Sequence, residues 1–294
     1  MSLMKKMRTK IKLVCRLVRD KWSKPILVVV NHQVSSLFNE EIDCETDWSS
    51  IDLYEKNIQW IVKHYKVISL EQAICIIRRG KRINEKYVVF TFDDGYASIE
   101  NALRILEKHN LPATIFINTA YLDDKKLSPV NAVNFIQSKS ECELSKLPSE
   151  LLTACHNIDD VNKNNYKKFL EIINQNIDYI RPSVSVYLSE EKLEKLNKDL
   201  FTIGLHGHEH LISTFLDEEH FLRNVNKNIK VLQKYENYKP FFAFPYGNAN
   251  EEKILTVKAL GLVPVLCNGL KNNINSDCIN RIPIDGIDLE KIRI

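Results

Sequence analysis

Nowhere in the 294 residues do 18 apolar residues run together, so the sequence offers no transmembrane helix. The seven cysteines (Cys15, Cys44, Cys75, Cys142, Cys155, Cys267 and Cys278) are scattered, odd in number and never spaced as CxxC. They read as reduced thiols of a cytoplasmic chain, not as a disulfide framework. A net charge of +3 is too small to select nucleic acid as a partner. No internal repeat or low-complexity tract occurs. The basic amino terminus, MKKMRTKIK, is not followed by the apolar core of a signal peptide, because Arg16, Arg19, Asp20 and Lys21 interrupt it. Residues 1–24 therefore form a basic segment. Over 4–22 it reads as an ordinary surface helix, with an amphipathic helix on anionic lipid as the second reading. The expected location is cytoplasmic, with peripheral contact at the inner face of the membrane on that second reading.

What is present suits a globular chain of 44% apolar and 27% charged residues, long enough to bury a substantial core. Short apolar runs, PILVVVN (25–31), YVVFTF (87–92) and ATIFIN (113–118), alternate with helical periodicity over 51–65, 70–79 and 98–110. Near-continuous apolar strands separated by helices signal a parallel α/β unit. From about 121 to 200 the strand signal gives way to polar helical segments, which read as a helical insertion. The α/β rhythm resumes with FTIGL, a long helix, PFFAF, a second helix near Asn250 and LVPVLC. Six or seven parallel strands point to a barrel-like or open α/β domain, whose functional groups gather at the carboxyl ends of the strands.

Three clusters follow such strands: Asp93-Asp94-Gly95, His206-Gly-His208-Glu-His210 and Pro245-Tyr246-Gly247. The first alone is equally well an Asx-capped turn. Together they supply a carboxylate and imidazoles at one rim, the donor types of a catalytic divalent metal. His206 and His210, four residues apart, share a side in helical or turn geometry. Extended backbone would instead pair His208 with one of them.

TFDDGY, H-x-x-x-H after IG, and FPYG occur in the order found in the polysaccharide deacetylases of the NodB-homology type (carbohydrate esterase family 4), and the resemblance covers about 25–285. It implies a distorted (β/α)7-type barrel over 25–294. It also implies Asp93 as catalytic base and Asp94, His206 and His210 as metal ligands. The backbone N–H of Tyr246 would stabilise the oxyanion, with Pro245, Tyr246 and Gly247 against the substrate. The cofactor implied is one divalent metal, zinc on donor type, with cobalt or nickel as alternatives.

Two departures stand out. Ala243 occupies a position where many members carry an arginine that steadies the base, and no histidine follows His220 to serve as acid. The strand VVVNHQV resembles the one that opens the domain in a permuted branch, that of the poly-N-acetylglucosamine deacetylases. This makes His32 the candidate general acid. Arg281, in RIPID beside Asp285, is the candidate to replace the missing arginine. The activity implied is N-deacetylation of an N-acetylhexosamine in a glycan, glycolipid or lipid-linked saccharide. O-deacetylation and a non-catalytic sugar-binding role are the alternatives.

Overall fold

The computed structural model describes residues 26–39, 42, 47–79, 85–157, 161–182, 184–269, 272 and 278–291. The basic segment 1–24 lies outside them. Among the described residues no helix is long and apolar enough to cross a membrane.

The apolar runs become parallel strands with both faces covered: β1 (Ile26–Asn31), β5 (Tyr87–Phe92), β6 (Ala113–Ile117), β7 (Phe201–Leu205), β8 (Tyr238–Ala243) and β9 (Val263–Leu266). Shorter strands are β2 (Gln33–Ser35), β3 (Trp48–Ser50), β4 (Lys66–Val67), β10 (Ile279–Asn280) and β11 (Ile282–Pro283). Sheet order is β10-β9-β8-β7-β6-β5-β1-β11, with β4 on β5. The two ends of that order are neighbours in the chain, separated only by Arg281. Ile279 and Asn280 pair with Val265 and Leu266, while Ile282 and Pro283 pair with Val29 and Val30. One five-residue segment thus joins both edges, and the sheet is nearly closed into a barrel of seven staves, the arrangement expected from the sequence.

Strand alternation divides the side chains between two cores. Val28, Val89, Phe116, Phe241, Ala243, Val265 and Ile279 meet one another from strands all round the ring, so they fill its interior, and the helix Leu70–Arg79 packs on them through Leu70, Ala73, Ile74 and Ile77. The opposite faces pack on the other helices. Of these, Ile99–Lys108 buries Ile99, Ala102, Leu103, Ile105 and Leu106, and Glu218–Leu232 is N-capped by Asp217. Gly204 on β7 is an inward position lying against Phe116. A methyl group there would come within 2.6 Å of the ring.

Between β6 and β7 run helices at Pro129–Gln137, Glu141–Leu144, Ser149–His156, Tyr166–Gln175 and Glu190–Glu194. This segment is tied to the rim at the aspartate turn. Leu188 N–H donates to Gly95 O (2.9 Å) and Ala97 N–H to Val186 O (2.8 Å). Asn131, 1% exposed, accepts at Oδ1 from Tyr96 Oη (3.1 Å), Tyr187 Oη (2.6 Å) and Ser128 Oγ (2.7 Å), and donates to Ile42 O (3.2 Å). Tyr187 stacks between Tyr96 and Tyr121, with centroids 5.6 and 5.3 Å away.

Candidate active site

β5 delivers Phe92 into the core and then turns sharply. Asp94 and Gly95 both adopt positive φ, 69° and 72°. Aspartate tolerates this region better than most residues because its short polar side chain can bond locally. The turn swings Asp94 across to the end of β7, where its Oδ1 lies 3.2 Å from His206 Nε2 and 3.0 Å from His210 Nε2. One donor atom from each of the three lies within 4.8 Å of the others, and all three residues are buried. His208 is not among them. Its Nδ1 meets Thr119 Oγ1 at 2.9 Å, and its N–H donates to Asn224 Oδ1 at 2.8 Å. The loop between the histidines is a turn, with Gly207 at φ 76° and His210 at φ 48°, so the i,i+4 pair converges and the middle imidazole diverges.

Hydrogen bonding fixes the state of this trio. His206 Nδ1 lies 2.8 Å from Ala243 O, and only an N–H can satisfy that carbonyl, so Nε2 is the ring nitrogen turned toward Asp94. Asp94 Oδ1 is buried without a hydrogen-bond partner. Burial pushes the Asp94 carboxyl up, but His210 and His206 hold it well below the usual carboxylate range. A buried carboxylate oxygen and two imidazole nitrogens thus converge on one point, an arrangement that a bound cation would complete. The donor set, one carboxylate and two imidazoles, fits a divalent metal with an open position.

Asp93 lies beside the trio, its Oδ2 3.7 Å from His206 Nε2. Arg281 Nη1 and Nη2 donate to its two carboxylate oxygens at 2.6 Å each, a bidentate fork, and Nη1 also reaches Thr91 Oγ1 at 3.2 Å. Arg281 is 0% exposed, with its guanidinium 5.1 Å over the Phe116 ring. Burial pushes Asp93 up, but Arg281, with His206, holds it below its ordinary value. Ala243 leaves its own position open, and the guanidinium arrives instead from the closing segment.

His32 follows β1. Its Nδ1 lies 2.9 Å from Asp285 Oδ2, its N–H donates to Asp285 Oδ1 (2.9 Å), and Asn31 Nδ2 donates to the same oxygen (3.1 Å). Burial pushes the imidazole pKa down, but Asp285 outweighs this and holds His32 well above its ordinary value. Pro245 is buried under a turn closed by Gly247 N–H to Phe244 O (2.9 Å). Tyr246, at φ 59°, lays its half-exposed ring 4.4 Å from His210. The structure therefore gathers Asp94, His206, His210 and Tyr246 in one contact set, with Asp93 3.7 Å from His206, and sets two buried or part-buried ion pairs beside them. Sequence reasoning missed Asn31 and Asp47. It also noted Asp285 only as a neighbour of Arg281, although their i,i+4 spacing on one segment was a signal that both reach the rim.

Comparison with known proteins identifies relatives of this chain. The polysaccharide deacetylase family profile matches residues 80–265, well over half of the chain. His32, Arg281 and Asp285 all fall outside that stretch. A poly-β-1,6-N-acetyl-D-glucosamine N-deacetylase of Staphylococcus aureus is 25% identical over 212 residues, 71% of this chain and 57% of that protein. The chain thus spans little more than half the length of the curated relatives it matches. Among solved structures, IcaB from Ammonifex degensii superposes with a TM-score of 0.61 at 14% identity, covering 90% of this chain and 93% of that one. The Streptococcus pyogenes deacetylase PplD, solved with acetate, gives 0.58 at 16% identity, covering 88% and 92%. At these identities the structures establish a shared fold. The chain belongs to the polysaccharide deacetylase family.

Proposed function

We propose that this chain is a metal-dependent N-deacetylase that removes acetyl groups from N-acetylhexosamine units of a glycan, with a polymer of the poly-N-acetylglucosamine type as the leading substrate. The observation that carries the reading is Asp94 Oδ1, buried without a hydrogen bond and facing two imidazole nitrogens, with the Asp93–Arg281 and His32–Asp285 pairs beside it. The sequence relationship to a poly-N-acetylglucosamine deacetylase supports the substrate class.

Asp94, His206 and His210 would hold the metal, zinc on donor type with cobalt or nickel as alternatives. Bound there, the cation supplies Lewis acidity, polarising the acetamide carbonyl and lowering the pKa of water. Asp93 takes the proton of the attacking water. Arg281 keeps that carboxylate ionised and fixed in orientation. The Tyr246 N–H donates to the oxyanion as the carbonyl carbon becomes tetrahedral. His32, kept protonated by Asp285, gives a proton from Nε2 to the departing nitrogen.

Acetate release from an N-acetylglucosamine oligomer, measured beside the metal content of the purified protein, tests this. Asp93→Asn is expected to abolish turnover while retaining the metal, and His210→Ala to lose both. Protein that binds no divalent metal, or releases no acetate when loaded, would refute the reading.

A further inference from the structure

A second carboxylate, besides that of Asp285, reaches the His32 side of the site. A nitrogen of His32 and a carboxylate oxygen from each of Asp285 and Asp47 all lie within 4.8 Å of one another. Asp47 arrives through a small parallel ladder. Gln33 on β2 is in register with Trp48 on β3, so Asp47 stands beside His32, one residue before that pair. Gln33 N–H donates to Asp47 O (3.1 Å), and Trp48 Nε1 donates to Ser35 Oγ (2.7 Å), which locks the ladder one turn further on. The bond from Asn131 Nδ2 to Ile42 O anchors the connection between the two strands to the insertion.

Orientation of the imidazole does not require Asp47. Asp285 already engages both His32 Nδ1 and the His32 N–H, and Asn31 holds Asp285 in turn. Asp47 is half-buried. Asp47 thus stands beside the imidazole from which the leaving nitrogen takes its proton.

The chemistry at that nitrogen gives the carboxylate a task. When the C–N bond breaks, its electron pair stays on nitrogen and the acetyl carbon leaves as acetate, carrying the oxygen of water. Summed over the reaction, both protons of that water end on the nitrogen, so the product is an ammonium group. It forms beside His32, and a nearby anion stabilises the new charge. The alcohol released from an acetyl ester stays neutral and gains nothing from such a group.

We infer that Asp47 is the specificity-determining residue for amino sugars, its carboxylate receiving the ammonium group of the deacetylated hexosamine. The same carboxylate favours sugar chains that already carry free amines, which makes a partly deacetylated polymer the class of ligand the site retains. The inference rests on the N-deacetylase reading above, and the two fail separately.

The test compares wild type, Asp47→Asn and Asp47→Glu, each loaded with metal. The substrate is an N-acetylglucosamine pentamer, with a glucosamine pentamer and a glucose pentamer as competing inhibitors, below the pKa of the sugar amines. A charge-assisted hydrogen bond predicts that the glucosamine pentamer inhibits wild type about tenfold more strongly than the glucose pentamer. Asp47→Asn is expected to bring that ratio close to one, and Asp47→Glu to restore part of it. A general loss of activity through misplaced structure would weaken both inhibitors together and leave the ratio in place. An undiminished ratio in Asp47→Asn, or no preference in wild type, overturns the inference. If wild type releases no acetate from the pentamer, the N-deacetylase reading falls instead, and calorimetric binding of the two inhibitors still reads the preference assigned to Asp47.

Discussion

Arg281→Ala would remove the cation that keeps Asp93 ionised inside the barrel. The present geometry is a two-pronged bond at 2.6 Å on each prong, with the guanidinium fully buried. Removing an opposite charge at this range raises a carboxylate pKa by about 1–3 units, or about 1.4–4 kcal/mol at 1.36 kcal/mol per unit. The loss of stability from leaving a buried charge unpaired is about 3–5 kcal/mol, so the two routes agree on scale. The sign follows from the depressed pKa of Asp93. Its pairing stabilises the fold above the unfolded carboxylate pKa, and this contribution is lost as pH falls through the lower folded value. In the variant, the acid limb of kcat/KM should therefore move to higher pH, by about 1–3 units. The assay is acetate release against pH, with thermal denaturation run alongside. Arg281→Lys keeps the charge without the fork and should move the limb less, so the prediction survives even if the alanine variant fails to fold. An acid limb that coincides in wild type and both variants would refute the role given to Arg281.

Asp285→Asn should act on the opposite limb. Asp285 holds the His32 pKa above its ordinary value, so the acid form persists as pH rises and activity falls only as pH passes through that raised value. The amide should bring the alkaline limb of kcat/KM down toward the ordinary imidazole range, and a profile unmoved at its alkaline end would count against His32 as acid. Asn131→Ala leaves the hydroxyls of Tyr96 and Tyr187 without their acceptor in a buried site. The cost is about 2–4 kcal/mol, read as a fall in Tm on the order of 5–15 °C. A Tm within a degree of wild type would show that the insertion is not fastened there.

The long strands were legible because β1, β5 and β6 are buried on both faces and so are apolar throughout, while helices such as Ile99–Lys108 carry one apolar side. The closing segment was not. It offers two paired residues to each neighbour and contains Pro283, which reads as a strand breaker, so RIPID carries no strand signal. Spacing alone left the choice among His206, His208 and His210 open, because it turns on backbone conformation. The positive φ of Gly207 and His210, together with the side bond from His208 to Thr119, decides it. Asp47 was invisible because its place depends on a strand register formed across a 12-residue connection that no local pattern encodes.

The closing segment also has a consequence for how the chain becomes competent. Asp94, His206 and His210 sit on staves laid down before it, so a ring still open at that seam already has its three donors. Arg281 and Asp285 come only with the last stave, one neutralising the base and the other charging the acid. Proton handling is thereby interlocked with completion of the barrel. On the proposed mechanism, a clipped or frayed chain would keep the three metal-binding side chains yet lack proton transfer, so metal content alone would be a poor measure of active protein.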